Sequence, residues 1–164
     1  EVCSSMVIAL VSSLWFSVAT EVDADPLQDL YLHLSPDNKK FPDHVARERV
    51  RALARYDGSA ILLGEINGAL VSSCTLVIMP NLTRGGVPYA LIENVVTHGE
   101  YRRRGFGKAM LHAASERAWQ YGCYKVMLLT GSSQASTLAF YEYAGVGQSK
   151  TGVQKRRCPE RSDA

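Results

Sequence analysis

The chain reads as one α+β domain built on a mixed sheet, and three observations carry that reading. Two apolar runs, "AILLGEI" (60–66) and "ALVSSCTLVIM" (69–79), meet at Asn67-Gly68, a dipeptide suited to the left-handed positions of a two-residue hairpin. A strand-like run, Tyr89–Thr97, passes through a glycine-containing turn into a helix-forming stretch and then a second apolar run, Tyr124–Thr130. That is a strand–helix–strand unit, which implies a parallel pair. Two stretches of helical spacing precede the hairpin. The order is strand, two helices, three strands, helix, strand, helix, strands.

Each element has a local cause. "LWFSV" (14–18) is bulky and aromatic and reads as a first core strand. The apolar segment around it, Met6–Ala19, is broken by Ser12, Ser13 and Ser17 and falls short of the ~18–20 residues of a membrane span. Glu1 is the only charge before Glu21, so the segment lacks the basic stretch that opens a signal peptide, and residues 1–13 are expected to be either a non-native remnant or an extra N-terminal segment. Next, Asp25 can cap a helix that has Pro26 in its first position and Leu27, Leu30, Tyr31 and Leu34 along one face. Ser35–Asn38 is a turn. Asp43–Gly58 is a second helix, with Val45, Val50, Leu53 and Ala54 inward, its arginines solvated and Gly58 as its stop. Pro80–Pro88 is a loop. Tyr89–Thr97 is a strand interrupted by Glu93-Asn94, and the helix after it runs to about Tyr121. Tyr124–Thr130 reads as a buried parallel strand and Ser132–Gly145 as a helix with a glycine stop. A last strand pair is expected within Val146–Arg157.

Composition narrows the function. The chain has 164 residues, 46% hydrophobic, enough for one real core. A net charge of +2 is too small for a general nucleic-acid surface. Cys3, Cys74, Cys123 and Cys158 are widely spaced with no CxxC pair, which argues against metal ligation or a disulfide framework and for thiols in a reducing cytoplasm. His33, His44 and His112 read as surface positions on helices and His98 as lying near the glycine turn, none at metal-ligand spacing.

The positive charge that matters is local. "EYRRRGFGKAM" (100–110) places Arg102, Arg103, Arg104, Gly105, Gly107 and Lys108 at a helix start. Unpaired N–H groups and the positive end of the helix dipole meet there, and glycine lets an anion approach the backbone. The Walker pattern fails, with Arg102 at its first glycine and Ala109 after Gly107-Lys108. The dinucleotide pattern GxGxxG fails at Met110. A tight strand-to-helix turn with exposed arginines stands beside the anion reading on local chemistry alone.

Two further segments turn this balance. Arg102–Gly107 fits [Q/R]-x-x-G-x-[G/A], and Phe140-Tyr141-Glu142 with Gly145 follows at the right distance. Together with the strand "LIENVVT", these resemble the GNAT superfamily of N-acetyltransferases over roughly residues 14 to 157. The stretch from Ile92 to Val146 looks most like the glucosamine-phosphate N-acetyltransferase branch, although Asn94 stands where that branch has an aspartate. The resemblance implies a mostly antiparallel mixed sheet splayed at its centre, with helices on both faces. It also implies transfer of acetyl from acetyl-CoA to a primary amine by direct attack, with no metal. The backbone of Arg103, Arg104, Gly105, Phe106, Gly107 and Lys108 would hold the pyrophosphate, with Arg102 and Arg104 as side-chain partners. Arg103 occupies a position where the family often has glycine. Val95, Val96 and Thr97 would bind the pantetheine arm as an added strand, and Gln134 would touch the cofactor or only begin its helix. Tyr141 would protonate the leaving thiolate, with Tyr143 pointing elsewhere. Glu93 would be either a base for the amine or a rim residue for a cationic substrate. The acceptor is expected to be a small molecule, an amino sugar ahead of a polyamine or an aminoglycoside, in a pocket shaped by the first two helices and the Pro80–Pro88 loop. A homodimer is expected. The competing functions are a non-catalytic acyl-CoA-binding module and an unrelated phosphate-binding domain.

Overall fold

The computed structural model describes residues 14–35 and 37–157. Cys3, Cys158 and most of the N-terminal apolar segment lie outside them. Among the described residues the sheet has five strands in the order β1-β2-β3-β4-β5: β1 (Trp15–Val18), β2 (Ala60–Ile66), β3 (Ala69–Met79), β4 (Tyr89–Thr97) and β5 (Val126–Leu128). β1 to β4 run antiparallel and β5 is parallel to β4. The hairpin forms as the sequence predicts, with Asn67 at φ +50° and Gly68 at φ +79°, both left-handed.

Helices cover both faces. α3 (Phe106–Gln120) lays Met110, Leu111, Ala114 and Ala118 on Ala60, Leu62, Cys74, Leu76 and Ile92, with Phe140 and Tyr141 of α4 (Ala135–Tyr143) at the margin. On the other face, α1 (Ala24–Tyr31) and α2 (Asp43–Leu53) pack Leu27, Ala46 and Val50 around Leu63. Leu62 and Leu63 thus go to opposite clusters, as strand alternation requires. The solvated face of α2 is tied locally: Arg51 pairs with Glu21, and Arg47 with Asp43.

Several expectations are corrected. Among the described residues β1 is an outer strand paired only with β2, and all four of its side chains are exposed, Trp15 at 74%; it is not a core strand. Asp23, not Asp25, is the residue before α1, and its carboxylate accepts from the N–H and hydroxyl of Thr20. α1 ends at Tyr31, short of Leu34. α2 ends at Leu53, so Ala54 is exposed and Ala46 takes the inward place. Gly58 is not its stop. It is buried at φ +74°, and a Cβ there would lie 2.6 Å from Tyr121 Cδ1, so glycine lets the end of α3 close on the sheet. β5 is shorter than predicted and only half-buried, being an outer strand. No strand forms over 146–157: that stretch offers only Val146 and Val153 as apolar residues, among two glycines and four cations, and has no face to bury. The end of α4 is as predicted. Gly145 N–H bonds Glu142 O and Val146 N–H bonds Tyr141 O at 2.9 Å each, with Gly145 at φ +86°, which is a Schellman stop.

Candidate active site

The site is organised by an irregularity in β4. Thr75 pairs with Glu93 but Ser73 pairs with Val96, so Asn94 and Val95 together oppose Cys74. Asn94 stands at φ +52°, a conformation asparagine tolerates better than most residues. Pairing between β4 and β5 ends at Ile92 and Leu128, and β4 continues past it to Thr97 without a β5 neighbour. This is the central splay. His98 N–H bonds Val71 O at 2.8 Å, which makes Ser72–Thr97 a non-hydrogen-bonded pair and turns the Thr97 N–H away from β3, toward the opened edge. Val96 is turned the other way. Its carbonyl accepts from Ser72 Oγ at 3.0 Å and its side chain is buried, so of the three residues expected along a pantetheine arm Val96 faces β3.

The loop after β4 carries the anion motif. Arg103 is left-handed at φ +61°, Gly105 at φ +84°, and α3 begins at Phe106. The first helical bond in this turn is Ala109 N–H to Gly105 O at 3.0 Å, so the amides of Phe106, Gly107 and Lys108 precede any residue four back in the helix. A Cβ on Gly105 would meet nothing within 4 Å, leaving its face open. Gly107 differs: its φ is ordinary, and a Cβ there would lie 3.1 Å from Phe140 Cζ and 3.5 Å from Thr97 Oγ1. Its small size therefore serves the packing of α3 against Phe140 of α4. The Phe106 ring is buried, so only its backbone can face a ligand.

The arginines divide their work. Arg102, expected as a side-chain partner for the anion, instead donates from Nε to Thr97 O (3.2 Å) and from Nη2 to His33 O (2.6 Å). Arg103 is exposed and Arg104 lies over the Tyr101 ring, its Cζ 5.2 Å from the centroid. Lys108 Nζ sits 3.8 Å over the Tyr143 ring.

Tyr141 is half-buried against the α3 core while Tyr143 is 75% exposed, which separates them as helical geometry predicts. Burial, with the nearby Glu93 carboxylate, raises the Tyr141 phenol above its ordinary value. The phenol therefore stays protonated at neutral pH. Burial raises the Glu93 carboxyl as well. Because Glu93 stands opposite Thr75, it shares the face on which Tyr31 meets Thr75 and Ser73. The turn after α1 lines a cavity of about 150 Å³ on that side, with Gln28, Tyr31, Asn38, Lys39 and Asn94 in its wall. The Pro80–Pro88 loop does not contribute. It lines a separate cavity with Tyr56 and Tyr121 at the start of β4, the end away from the anion loop. Gln134 is the exposed residue preceding α4, its carbonyl accepting from Thr137 and Leu138, as a helix-start role requires.

Cys74 is buried and its thiol is pushed up to about 12, and burial raises Cys123 too, so neither is a ready nucleophile. Among the described residues no cluster of three or more histidine, cysteine or acidic side chains is placed to hold a metal, and no helix is long and apolar enough to cross a membrane. One contact had no signal in the sequence: His33 meets the anion loop from far along the chain.

An opened strand edge, a glycine turn at a helix start and the half-buried Tyr141 at the margin of the α3 core lie along one end of the sheet. The chain matches the Acetyltransferase (GNAT) family over residues 25–146 and belongs to it. It is 42% identical over 78 residues to a glucosamine 6-phosphate N-acetyltransferase of Trypanosoma brucei brucei, a match spanning 48% of this chain and about half (51%) of that relative. Among solved structures, a putative acetyltransferase from Agrobacterium tumefaciens str. C58 is 40% identical with a TM-score of 0.82, covering 87% of this chain and 99% of the other. A Trypanosoma brucei acetyltransferase is 30% identical with a TM-score of 0.70, covering 90% and 99%.

Proposed function

We propose that the protein is an acetyl-CoA-dependent N-acetyltransferase acting on the primary amine of a small molecule. The observation that carries this is the edge of β4 left without a β5 neighbour beyond Ile92 and running into the open glycine turn at the start of α3, with Glu93 and Tyr141 as the candidate groups for the chemistry. The residues present fit the cofactor. Gly105 leaves open space over the loop, the first-turn amides of Phe106 to Lys108 are the donors for a pyrophosphate, and the Thr97 N–H lies on the opened edge for the pantetheine arm.

Acetyl transfer forms a C–N bond and breaks a C–S bond. The amine must lose a proton, and the departing thiolate must gain one. Glu93, with its carboxyl raised toward the range of a useful base, accepts the amine proton directly or through water. Tyr141, kept protonated, donates to the thiolate. Attack is direct, which agrees with two thiols held inert by burial.

The acceptor we favour is an amino sugar, with a phosphorylated one first. The named relative supports this, and so does the cavity beside Asn94, which has three side-chain amides (Gln28, Asn38 and Asn94) and the Lys39 side chain in its wall for a polar, anionic ligand. An acetylation screen over amino sugars with and without phosphate, polyamines, aminoglycosides and peptide N-termini tests it. Turnover with none of these, alongside tight coenzyme A binding, would make the protein a binding module instead. A homodimer is also proposed, on the exposed edge of β1 with Trp15, Phe16 and Val18, and light scattering checks it.

A further inference from the structure

The turn that follows α1 reaches the anion loop through one residue. Gly99 N–H donates to His33 Nδ1 at 3.3 Å, and Arg102 Nη2 donates to the His33 carbonyl at 2.6 Å. The His33 and His98 rings lie 4.0 Å apart between centroids. The same Arg102 guanidinium also holds Thr97 O. His33 therefore grips both ends of Gly99–Arg102, the segment that leads directly into left-handed Arg103 and Gly105. Its own segment continues into Leu34, Asn38 and Lys39 in the wall of the acceptor-side cavity.

A loop that binds an anion through its amides works best when those amides are already aimed, because ordering them on binding costs affinity. A left-handed arginine is unfavourable by itself and needs surroundings that fix it. We propose that His33 is a positioning residue for the anion loop: its Nδ1 and carbonyl hold Gly99 and Arg102 so that the amides of residues 103–108 are preset for the pyrophosphate. This rests on the reading of that loop as the coenzyme A site.

The tie depends on protonation. Nδ1 accepts, so the neutral ring carries its hydrogen on Nε2. A second proton must go to Nδ1, turning the acceptor into a donor that opposes the Gly99 N–H. The charged and titratable groups facing His33 are His98, Arg102 and Glu100, with Tyr101 packed on the far side of His98. Burial, then His98 and Arg102, keep the His33 pKa below its ordinary 6.5, against Glu100. The bond is thus intact at neutral pH and is lost as pH falls through a value below 6.5.

The experiment compares wild type, His33→Ala and His33→Asn by calorimetric titration with coenzyme A at about pH 7.5 and about pH 5.5. Coenzyme A's own phosphate titrates in this range, so the reading is the difference between proteins. His33→Ala is expected to raise Kd about tenfold at the higher pH, roughly 1.4 kcal/mol. His33→Asn, whose amide oxygen can accept in place of Nδ1, should match wild type there. Between the two pH values wild type should lose more affinity than His33→Asn. A wild-type Kd in His33→Ala, or the same pH dependence in wild type and His33→Asn, overturns the proposal. If His33→Ala does not fold, the comparison of wild type with His33→Asn decides alone. Wild type that binds no coenzyme A overturns the cofactor reading and this one with it, whereas binding indifferent to position 33 overturns only this one.

Discussion

Gly105→Ala and Gly107→Ala put the same methyl two residues apart, and the structure predicts different consequences. Gly105 is at φ +84° with nothing within 4 Å of a Cβ. The substitution therefore creates no clash and costs only backbone strain, about 1–2 kcal/mol for a non-glycine residue in that region. If the loop relaxes to escape it, the amides lose their aim, and the same free energy appears as a rise in acetyl-CoA Kd of about 5- to 30-fold. Gly107 has an ordinary φ, and alanine should gain about 1 kcal/mol of helix propensity over glycine. Against that, its Cβ would lie 3.1 Å from Phe140 Cζ and must push the ring. Phe140 precedes Tyr141, so the expected loss is in kcat, with Tm nearly unchanged because the two effects oppose. Calorimetric titration, thermal unfolding and steady-state kinetics on both variants separate these outcomes. Wild-type affinity in folded Gly105→Ala, or an effect of Gly107→Ala on Kd alone, would refute the reasoning.

Glu93→Gln should lower the rate most below the pKa of the acceptor amine if Glu93 is the base, and should raise the amine KM with kcat unchanged if it only binds a cation; a pH–rate profile distinguishes them. The same variant should be the more heat-stable. The folded-state pKa of Glu93 is raised, so its stability contribution is full below the unfolded value of about 4.5 and is lost as pH rises through the folded value. The gain in Tm should therefore appear above about pH 4.5 and vanish below it, as unfolding scans across pH would record. Arg103→Gly relieves a left-handed arginine at φ +61° but loosens the unfolded chain, so the net should lie between neutral and about 1 kcal/mol stabilising; a marked fall in Tm would contradict it.

The sequence made legible whatever local chemistry determines. Asn67-Gly68 announced the hairpin, Gly145 the end of α4, and the Arg102–Gly107 run the turn into α3, and each is present with the dihedral angles or bonds its residues require. Partnership across the fold was less legible. "LWFSV" has the composition of a core strand, but exposure depends on which strand lies outermost, and β1 does. A strand pair is expected over 146–157, but two valines among glycines and cations give that stretch no apolar face to bury. The roles of Arg102 and His33 come from bonds between segments some 69 residues apart, which no local pattern encodes. The resemblance points to Tyr141 and the interruption of an apolar strand to Glu93, and only the fold lets the Glu93 charge bear on the Tyr141 phenol.

The most direct test of the account is the turnover of acetyl-CoA with the amine panel by wild type, Tyr141→Phe and Tyr143→Phe. Tyr141→Phe keeps the half-buried ring and removes one hydroxyl, while Tyr143 keeps its ring against Lys108 in either form. The expected result is transfer by wild type, a kcat lower by about 10- to 10³-fold in Tyr141→Phe with acetyl-CoA affinity and Tm preserved, and near-wild-type rates in Tyr143→Phe. Full kcat in Tyr141→Phe, or coenzyme A binding without transfer to any amine, would contradict it.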